Sequence, residues 1–422
     1  MKIIRDSQVN LERTILDEHD EQYDAVKGIL KQVKDNGDRA LYALTERLDG
    51  VKLPDLLVSK SEIIEAYGTV ENSFVNAIKQ ATANIRSFHE KQKRQSWMDT
   101  SPNGTILGQL VRPISKAGIY VPGGRAAYPS SVLMNGIPAL VAGVEQIVMV
   151  TPPDKHGMVN PGVLIAANEL GIKQIYKIGG AQAVGALAYG TETIPKVDKI
   201  TGPGNIYVAL AKKEVYGLVD IDSVAGPSEI LVIADETANP QLAAADLISQ
   251  AEHDPLSTAT MITTSDQIAK QVRTEVTRQL QNLPRREIAE ASIENNGAIY
   301  VVPDLDTAVQ MTNDYAPEHL ELLVKEPFEL IGKIKNAGAI FVGENSTEAI
   351  GDYFAGPNHI LPTGGTAKFS SPLGVDDFIK KSSLISYSKA DLDKNAESIA
   401  TLAQFEQLQG HANAVIFRKQ RS

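Results

Sequence analysis

Apolar and polar positions follow three regimes along the chain. Residues 1 to about 50 read as helical, with polar-faced segments over 20–37 and 38–50 that each end in glycine. Ser59 and Glu62 then form a capping-box pair. They precede one long amphipathic helix whose stripe is Ile63, Tyr67, Val70, Phe74, Ile78, Ala81, Ile85 and Phe88. From about residue 117 short apolar runs alternate with helical stretches. Strands are expected at 117–121, 146–151, 174–178, 197–201 and 230–234, with helices at 130–141, 161–170, 181–189 and 205–216 between them. A second series has helices at 240–251, 265–281 and 305–313 and strands at 258–263, 298–302, 319–324 and 339–342. Residues 374–422 return to a mainly helical pattern, clearest over 397–408, with Gly410 as its stop.

Short apolar strands separated by helices of this length imply βαβ units and parallel sheets covered on both faces. The expected fold class is α/β: two Rossmann-like parallel-sheet domains with helical N- and C-terminal extensions. The expected division is an N-terminal helical extension (1–20), a first, discontinuous α/β domain (21–116 plus 235–373), a second, nucleotide-binding α/β domain (117–234) and a C-terminal helical segment (374–422). No solenoid repeat, coiled-coil heptad or low-complexity tract interrupts this pattern.

Composition narrows the function classes. The net charge of −11 and the pI near 5.3 argue against a nucleic-acid or anionic-membrane partner. No apolar run approaches the roughly 18 residues of a membrane span, and the first residues lack a signal-peptide core. A cytoplasmic protein is expected. The chain of 422 residues contains no cysteine, which excludes disulfides, thiolate metal sites and a cysteine nucleophile. Of the seven histidines, His19 and His156 are expected to face solvent and His89 to be a surface or edge residue. His253, His319, His359 and His411 each stand in a distinctive context.

Three glycine-rich turns follow expected strands and open helices: 122–125, 179–185 and 201–205. Such turns can offer backbone N–H groups to a phosphate. None is the GxGxxG fingerprint, but three on one sheet edge favour a nucleotide crevice. The loop 222–228 places the Ser228 hydroxyl on that side. Gln250 and His253 share a face at the end of a helix, where the dipole suits a cation. Asp352 and His359 lie in a glycine- and proline-punctuated stretch, 351–363, that reads as a loop. His411 follows Gly410. Together these residues could ligate zinc without thiolates, although Gln250 and His253 taken alone read first as an exposed helix terminus. Glu318 and His319, after Pro317, suit general acid–base work or simply form a polar strand entrance.

Taken in order, the stretches 119–124, 179–184, 201–205, 225–230, 250–253, 316–320, 351–359 and 410–411 resemble the histidinol dehydrogenase family across almost the whole chain. The first 100 residues resemble it only loosely. The resemblance implies a zinc enzyme, one Zn2+ per subunit, that oxidises L-histidinol to L-histidine with NAD through histidinal. It implies zinc on Gln250, His253, Asp352 and His411, and an acid–base pair of Glu318 and His319. Substrate contacts would come from Ser228, His359 and Glu406 together with Gln250, His253, His319, Asp352 and His411, and Tyr120, Gln182 and Asn205 would line the NAD site. It further implies a domain-swapped homodimer in which Glu406 and His411 complete the partner's site. A zinc hydrolase, a dehydrogenase of a related amino alcohol and a non-catalytic metal-binding protein are the competing readings. The three anion-friendly turns speak against the hydrolase.

Overall fold

The computed structural model describes residues 1–5, 20–123 and 128–420. In chain order the strands are β1 (Lys2–Ile4), β2 (Trp97–Thr100), β3 (Ile106–Pro113), β4 (Lys116–Tyr120), β5 (Gln146–Thr151), β6 (Gln174–Lys177), β7 (Lys199–Thr201), β8 (Asp220–Ile221), β9 (Glu229–Ala234), β10 (Thr258–Thr263), β11 (Ala298–Val301), β12 (His319–Leu323), β13 (Ala339–Val342) and β14 (Ile379–Ser386). They build a five-stranded sheet in the order β6-β5-β4-β7-β8 and a six-stranded sheet in the order β1-β11-β10-β9-β12-β13. All pairings in both sheets are parallel. In each, the strand that opens the alternating series, β4 or β9, lies centrally and the chain winds to one side before crossing to the other, with β1 added at the edge beside β11. The switch points therefore lie between β4 and β7 and between β9 and β12.

Helices cover both faces of both sheets, which is why the central strands read as continuous apolar runs rather than alternating ones. All six residues of β9 are buried. One face of the five-stranded sheet packs Ile119, Ile147 and Met149 against Ile78, Ala81 and Ile85. Its other face packs Val148, Val150 and Ile200 against Val26, Leu30, Leu41 and Leu44. Residues 20–90 thus share their core with 117–234, where the sequence expectation groups them with 235–373. The six-stranded sheet has its own pair of cores, built around Val232, Met261 and Ile299 on one face and Leu231, Ile262 and Leu322 on the other. Among the described residues no helix is long and apolar enough to cross a membrane.

Several local expectations need correction. Residues 2–4 are not helical: Ile3 and its neighbours extend the six-stranded sheet in parallel with β11, and two adjacent isoleucines carry no helical period. The rest of the N-terminal expectation before residue 20, with His19, lies outside the described residues. The long stripe from Ile63 is two helices, Lys60–Tyr67 and Asn72–Glu90, with Gly68 capping the first and Glu71 opening the second. Its residues from Ile63 to Ile85 still pack on one core, while Phe88 is exposed, so the periodicity was real although the helix breaks. The capping box of Ser59 and Glu62 is present, a device worth about 1 kcal/mol. Helix Asp20–Leu48 kinks at Gly37, φ 51°. In the C-terminal region β14 is a strand, antiparallel to β3, which in turn pairs β2. This ribbon is largely exposed and so has no buried period to betray it. The helix before Gly410 is Lys389–Phe405, and it stops at Glu406 and Gln407 (φ 61°). Gly410 lies inside the next helix, Gln409–Lys419.

His89 is fully buried, not a surface residue. Its Nδ1–H donates to the Ile85 carbonyl at 2.8 Å, which leaves Nε2 3.4 Å from the Asn358 amide nitrogen. Asn358 also donates to the Met134 carbonyl and accepts from Ile360 N–H. The imidazole therefore anchors the stretch that carries His359. Burial holds its pKa below the ordinary 6.5, so the unfolded chain binds the proton more readily and stability falls as pH drops below about 6.5. His89→Gln is expected to lower Tm at pH 7.5 and to flatten the further fall of Tm between pH 7 and 5, read by thermal melts of both proteins.

Candidate active site and metal centre

The site forms where the carboxyl edge of the five-stranded sheet meets the amino edge of the six-stranded one. The glycine turns follow β4, β6 and β7, while Glu229 and His319 begin β9 and β12 at the second switch point. The loop from β8 to β9 joins the two edges. Asp222 Oδ2 accepts from Gly202 N–H at 2.7 Å, and Gly226 N–H donates to Thr363 Oγ1 at 2.7 Å.

Helix Leu305–Tyr315 ends in Ala316, φ 52°, and the following turn delivers Glu318 and His319 to the strand entrance. His319 Nδ1 lies 3.0 Å from the Glu229 carbonyl. A carbonyl only accepts, so Nδ1 carries a proton, and Nε2 is the nitrogen that faces the cluster, 3.7 Å from Asp352 Oδ1. Glu318 Oε2 accepts from Glu229 N–H at 2.8 Å and stands 3.6 Å from Nδ1, at the opposite end of the ring from Asp352. Burial alone would lower the His319 pKa, but Glu348, Glu318 and Asp352 outweigh it and raise it well above 6.5. Burial, then Glu318, pushes the Glu229 carboxyl up to about 8. Its Oε1 holds Gly364 N–H at 2.9 Å.

Gln250 closes helix Pro240–Ala251, whose N-terminus is capped by Asn239, and His253 follows one turn later. One ligand atom from each of His253, Asp352 and Glu348 lies within 4.8 Å of the others. An imidazole with nearby carboxylates is a donor set that fits zinc. Burial lowers the pKa of His253 and of His359 despite nearby Asp352, which keeps both rings neutral. Burial would raise Asp352, but His319, His359 and His253 hold it below its ordinary value. Gln250 is fully buried beside Glu348 and His319.

The 351–363 stretch is not wholly loop. Asp352 sits on a six-residue helix, Glu348–Tyr353, that glycine and proline content conceals. Gly351 is required there because a Cβ would lie 2.7 Å from the Phe341 ring, and that ring also stacks beside His319 at 6.0 Å. His359 Nδ1–H donates to the Asp352 carbonyl at 3.1 Å, and Nε2 faces Ser131 Oγ at 3.3 Å. Ser131 follows β4, so this contact spans the two sheets.

Along the carboxyl edge of the five-stranded sheet, two helix starts are less open to anions than the glycine turns imply. Tyr120 Oη accepts from Gly180 N–H at 3.0 Å, and Asn205 Oδ1 accepts from Tyr207 and Val208 N–H. Burial pushes the Tyr120 phenol up to about 12, so it stays a neutral hydroxyl. The first turn lies partly outside the described residues. What remains still fits a ligand: Gln182 Oε1 and Thr201 Oγ1 are buried along this edge without a hydrogen-bond partner among the described residues. Gly202, φ 116°, presses on β4 so closely that a Cβ would meet the Tyr120 carbonyl at 2.1 Å. Behind it the Lys212 ammonium, 2% exposed, bonds the Gly202 carbonyl at 3.0 Å and pairs with Asp222. Both polar atoms of Gly202 are thereby held by one buried ion pair. Breaking such a pair typically costs about 3–5 kcal/mol, so the turn is stiff.

The chain brings together Gln250, His253, Glu318, His319, Asp352 and His359, with Ser228 at their margin next to Glu229. It does not bring Glu406 and His411 to them: both are exposed on the C-terminal helices, which pack on each other. Sequence reading missed Glu229 and Glu348. Glu348 stands one helical turn before Asp352, a spacing legible only if that stretch is read as helix.

The profile of the histidinol dehydrogenase family matches residues 12–419. Histidinol dehydrogenase of Halalkalibacterium halodurans is 57% identical over 99% of both chains, and that of Bacillus subtilis is 57% identical over 98% of this chain and 97% of its own. The crystal structure of histidinol dehydrogenase from Elizabethkingia anophelis superposes with a TM-score of 0.94 at 40% identity, covering 99% of this chain and 98% of that one. By its family profile, its full-length relatives and its superposable fold, this chain belongs to the histidinol dehydrogenase family.

Proposed function

We propose that this chain oxidises L-histidinol to L-histidine through L-histidinal, with NAD and zinc, as an enzyme of histidine biosynthesis. One observation carries the reading beyond family membership: Nε2 of His319 points into the same cluster as the ligand atoms of His253 and Asp352. Gln250, His253 and Asp352 would hold the metal, with His411 supplied by a partner subunit. When bound, zinc supplies a positive charge that fixes the imidazole and amine of histidinol and offsets the carboxylates around His319. NAD, in the crevice near Tyr120, Gln182 and Asn205, supplies the two-electron acceptor for each oxidation.

His319 Nε2 takes the hydroxyl proton as the alcohol is oxidised. Its orientation is set by the Glu229 carbonyl at Nδ1. Glu318 takes a proton from the water that adds to histidinal, and the hydrate loses its proton to the same pair in the second oxidation. Cysteine is absent, so the aldehyde is oxidised as its hydrate and not as a thiohemiacetal. His359 and Ser228 hold the substrate, with Glu406 of the partner subunit. A swapped homodimer is supported by the surface of the C-terminal helices, where Leu402, Phe405 and Phe417 are exposed, Phe405 by 89%. Such apolar surface on a protruding helix pair suits burial against a second copy.

Zinc-loaded protein supplied with histidinol is expected to form two NADH per histidine, followed at 340 nm (the absorbance of NADH) with histidine measured by chromatography. Removal of the metal by a chelator should abolish both signals and added zinc restore them. Absence of NADH from zinc-loaded protein overturns the proposal.

A further inference from the structure

Helix Pro129–Ala142 carries Pro138 in its interior. Proline has no N–H, so the carbonyl four residues back, that of Met134, loses its helical donor. Met134 is fully buried, where water cannot replace that donor. The hydrogen comes instead from a distant part of the chain: Asn358 Nδ2 donates to the Met134 carbonyl at 2.6 Å. Asn358 Oδ1 accepts from Ile360 N–H at 2.9 Å. A carbonyl only accepts and a backbone N–H only donates, so these two groups fix which way the amide is turned, whatever the charge of any neighbour. Asn358 is 4% exposed, and its nitrogen also lies 3.4 Å from His89 Nε2.

The next residue is His359. Its Nε2 faces Ser131 Oγ at 3.3 Å, and Ser131 stands three residues before Met134, on the same helix face. Residues 358 and 359 thus dock on neighbouring turns of one helix, the first through the gap that Pro138 leaves and the second through a hydroxyl. We propose that Asn358 is a positioning residue: by occupying the carbonyl that Pro138 frees, it fixes the backbone at 358–360 and with it the seat of the His359 imidazole. The bond from His359 Nδ1 to the Asp352 carbonyl sets the turn of that ring, and Asn358 sets where the ring begins. This inference rests on the substrate contact proposed above for His359. Such a contact works only while its ring is held in place, because a displacement of about 1 Å is enough to lose it.

The test is the Kd for histidinol of the zinc-loaded, full-length protein, measured by titration calorimetry, beside thermal melts of the same proteins. Asn358→Ala should lower Tm and weaken histidinol binding about 5–10-fold, the loss of one net hydrogen bond. Pro138→Ala gives the Met134 carbonyl a helical donor again. Added to Asn358→Ala, it should recover part of the Tm and none of the affinity, and it supplies a folded protein if the single variant is too unstable to measure. Affinity that returns with the second substitution would make the bond structural only and overturn positioning. In a His359→Ala background, Asn358→Ala should change Kd by less than about twofold, because the group it positions is gone. An undiminished loss in that background overturns the proposal. Parent-like affinity in folded Asn358→Ala overturns it as well and leaves the role of His359 standing. Parent-like affinity in His359→Ala removes the substrate contact itself and this inference with it.

Discussion

Replacing His319 by asparagine is expected to lower kcat for histidinol oxidation by about 10²–10⁴-fold, with zinc binding kept. The imidazole is buried, its Nδ1 proton is committed to the Glu229 carbonyl, and Nε2, 3.7 Å from Asp352 Oδ1, has no hydrogen-bond partner among the described residues. In the proposed reaction that nitrogen is the one that takes the proton of the substrate hydroxyl. Asparagine keeps polarity and approximate size but cannot take the proton. Glu318→Gln is expected to separate the two oxidations. Its carboxylate stands at the far end of the ring from Asp352, where it can serve water without competing for the alcohol. Rates measured from histidinol and from histidinal should show the larger loss from histidinal. Equal losses would remove the water-activating role, and a His319→Asn enzyme within tenfold of the parent would remove the base.

Mixing two inactive proteins is expected to restore activity. His253→Asn and His411→Asn each remove one zinc ligand in the proposed arrangement. If His411 acts on the partner's site, a mixed dimer has one site with both lesions and one with neither. Co-refolding equal amounts should then give about a quarter of parental activity, from half the dimers carrying one good site. If His411 served its own subunit, every site in the mixture would carry a lesion and activity would stay at background. The geometry favours the first outcome. His411 is exposed, lies on the helix Gln409–Lys419, and shares no ligand cluster with His253 and Asp352 among the described residues.

Most of the residues that the fold brings together at the candidate site were legible because each sits beside a strong local signal. Asn239 and Pro240 announce the helix that ends at Gln250. Pro317 and the leucines after His319 announce a turn entering a buried strand. The apolar runs at 229–234 and 319–323 could be read as central strands because they are buried on both faces. Illegible were the elements whose burial is not periodic. The β3–β14 ribbon lies mostly at the surface, β1 is three residues long, and His89 looked like the frayed end of a stripe because its burying partner, Asn358, is far along the chain. Glu348 was hidden for a related reason. A helix of six residues containing glycine carries no propensity signal, and it forms because Gly351 lets the Phe341 ring close on it.

By itself the amino-acid sequence determined the parallel α/β plan, the absence of thiol chemistry and the residue types available for acid–base and metal work. These follow from local patterns: burial on both strand faces, cap residues, and the lack of cysteine. Only the tertiary structure decided which of those residues meet. It placed His319 Nε2 toward Asp352, gave Glu318 to the other end of the ring, set Glu348 beside Gln250, and left His411 outside its own subunit's cluster. Ligand geometry depends on contacts between segments up to a hundred residues or more apart, and no local periodicity encodes a distance of that kind.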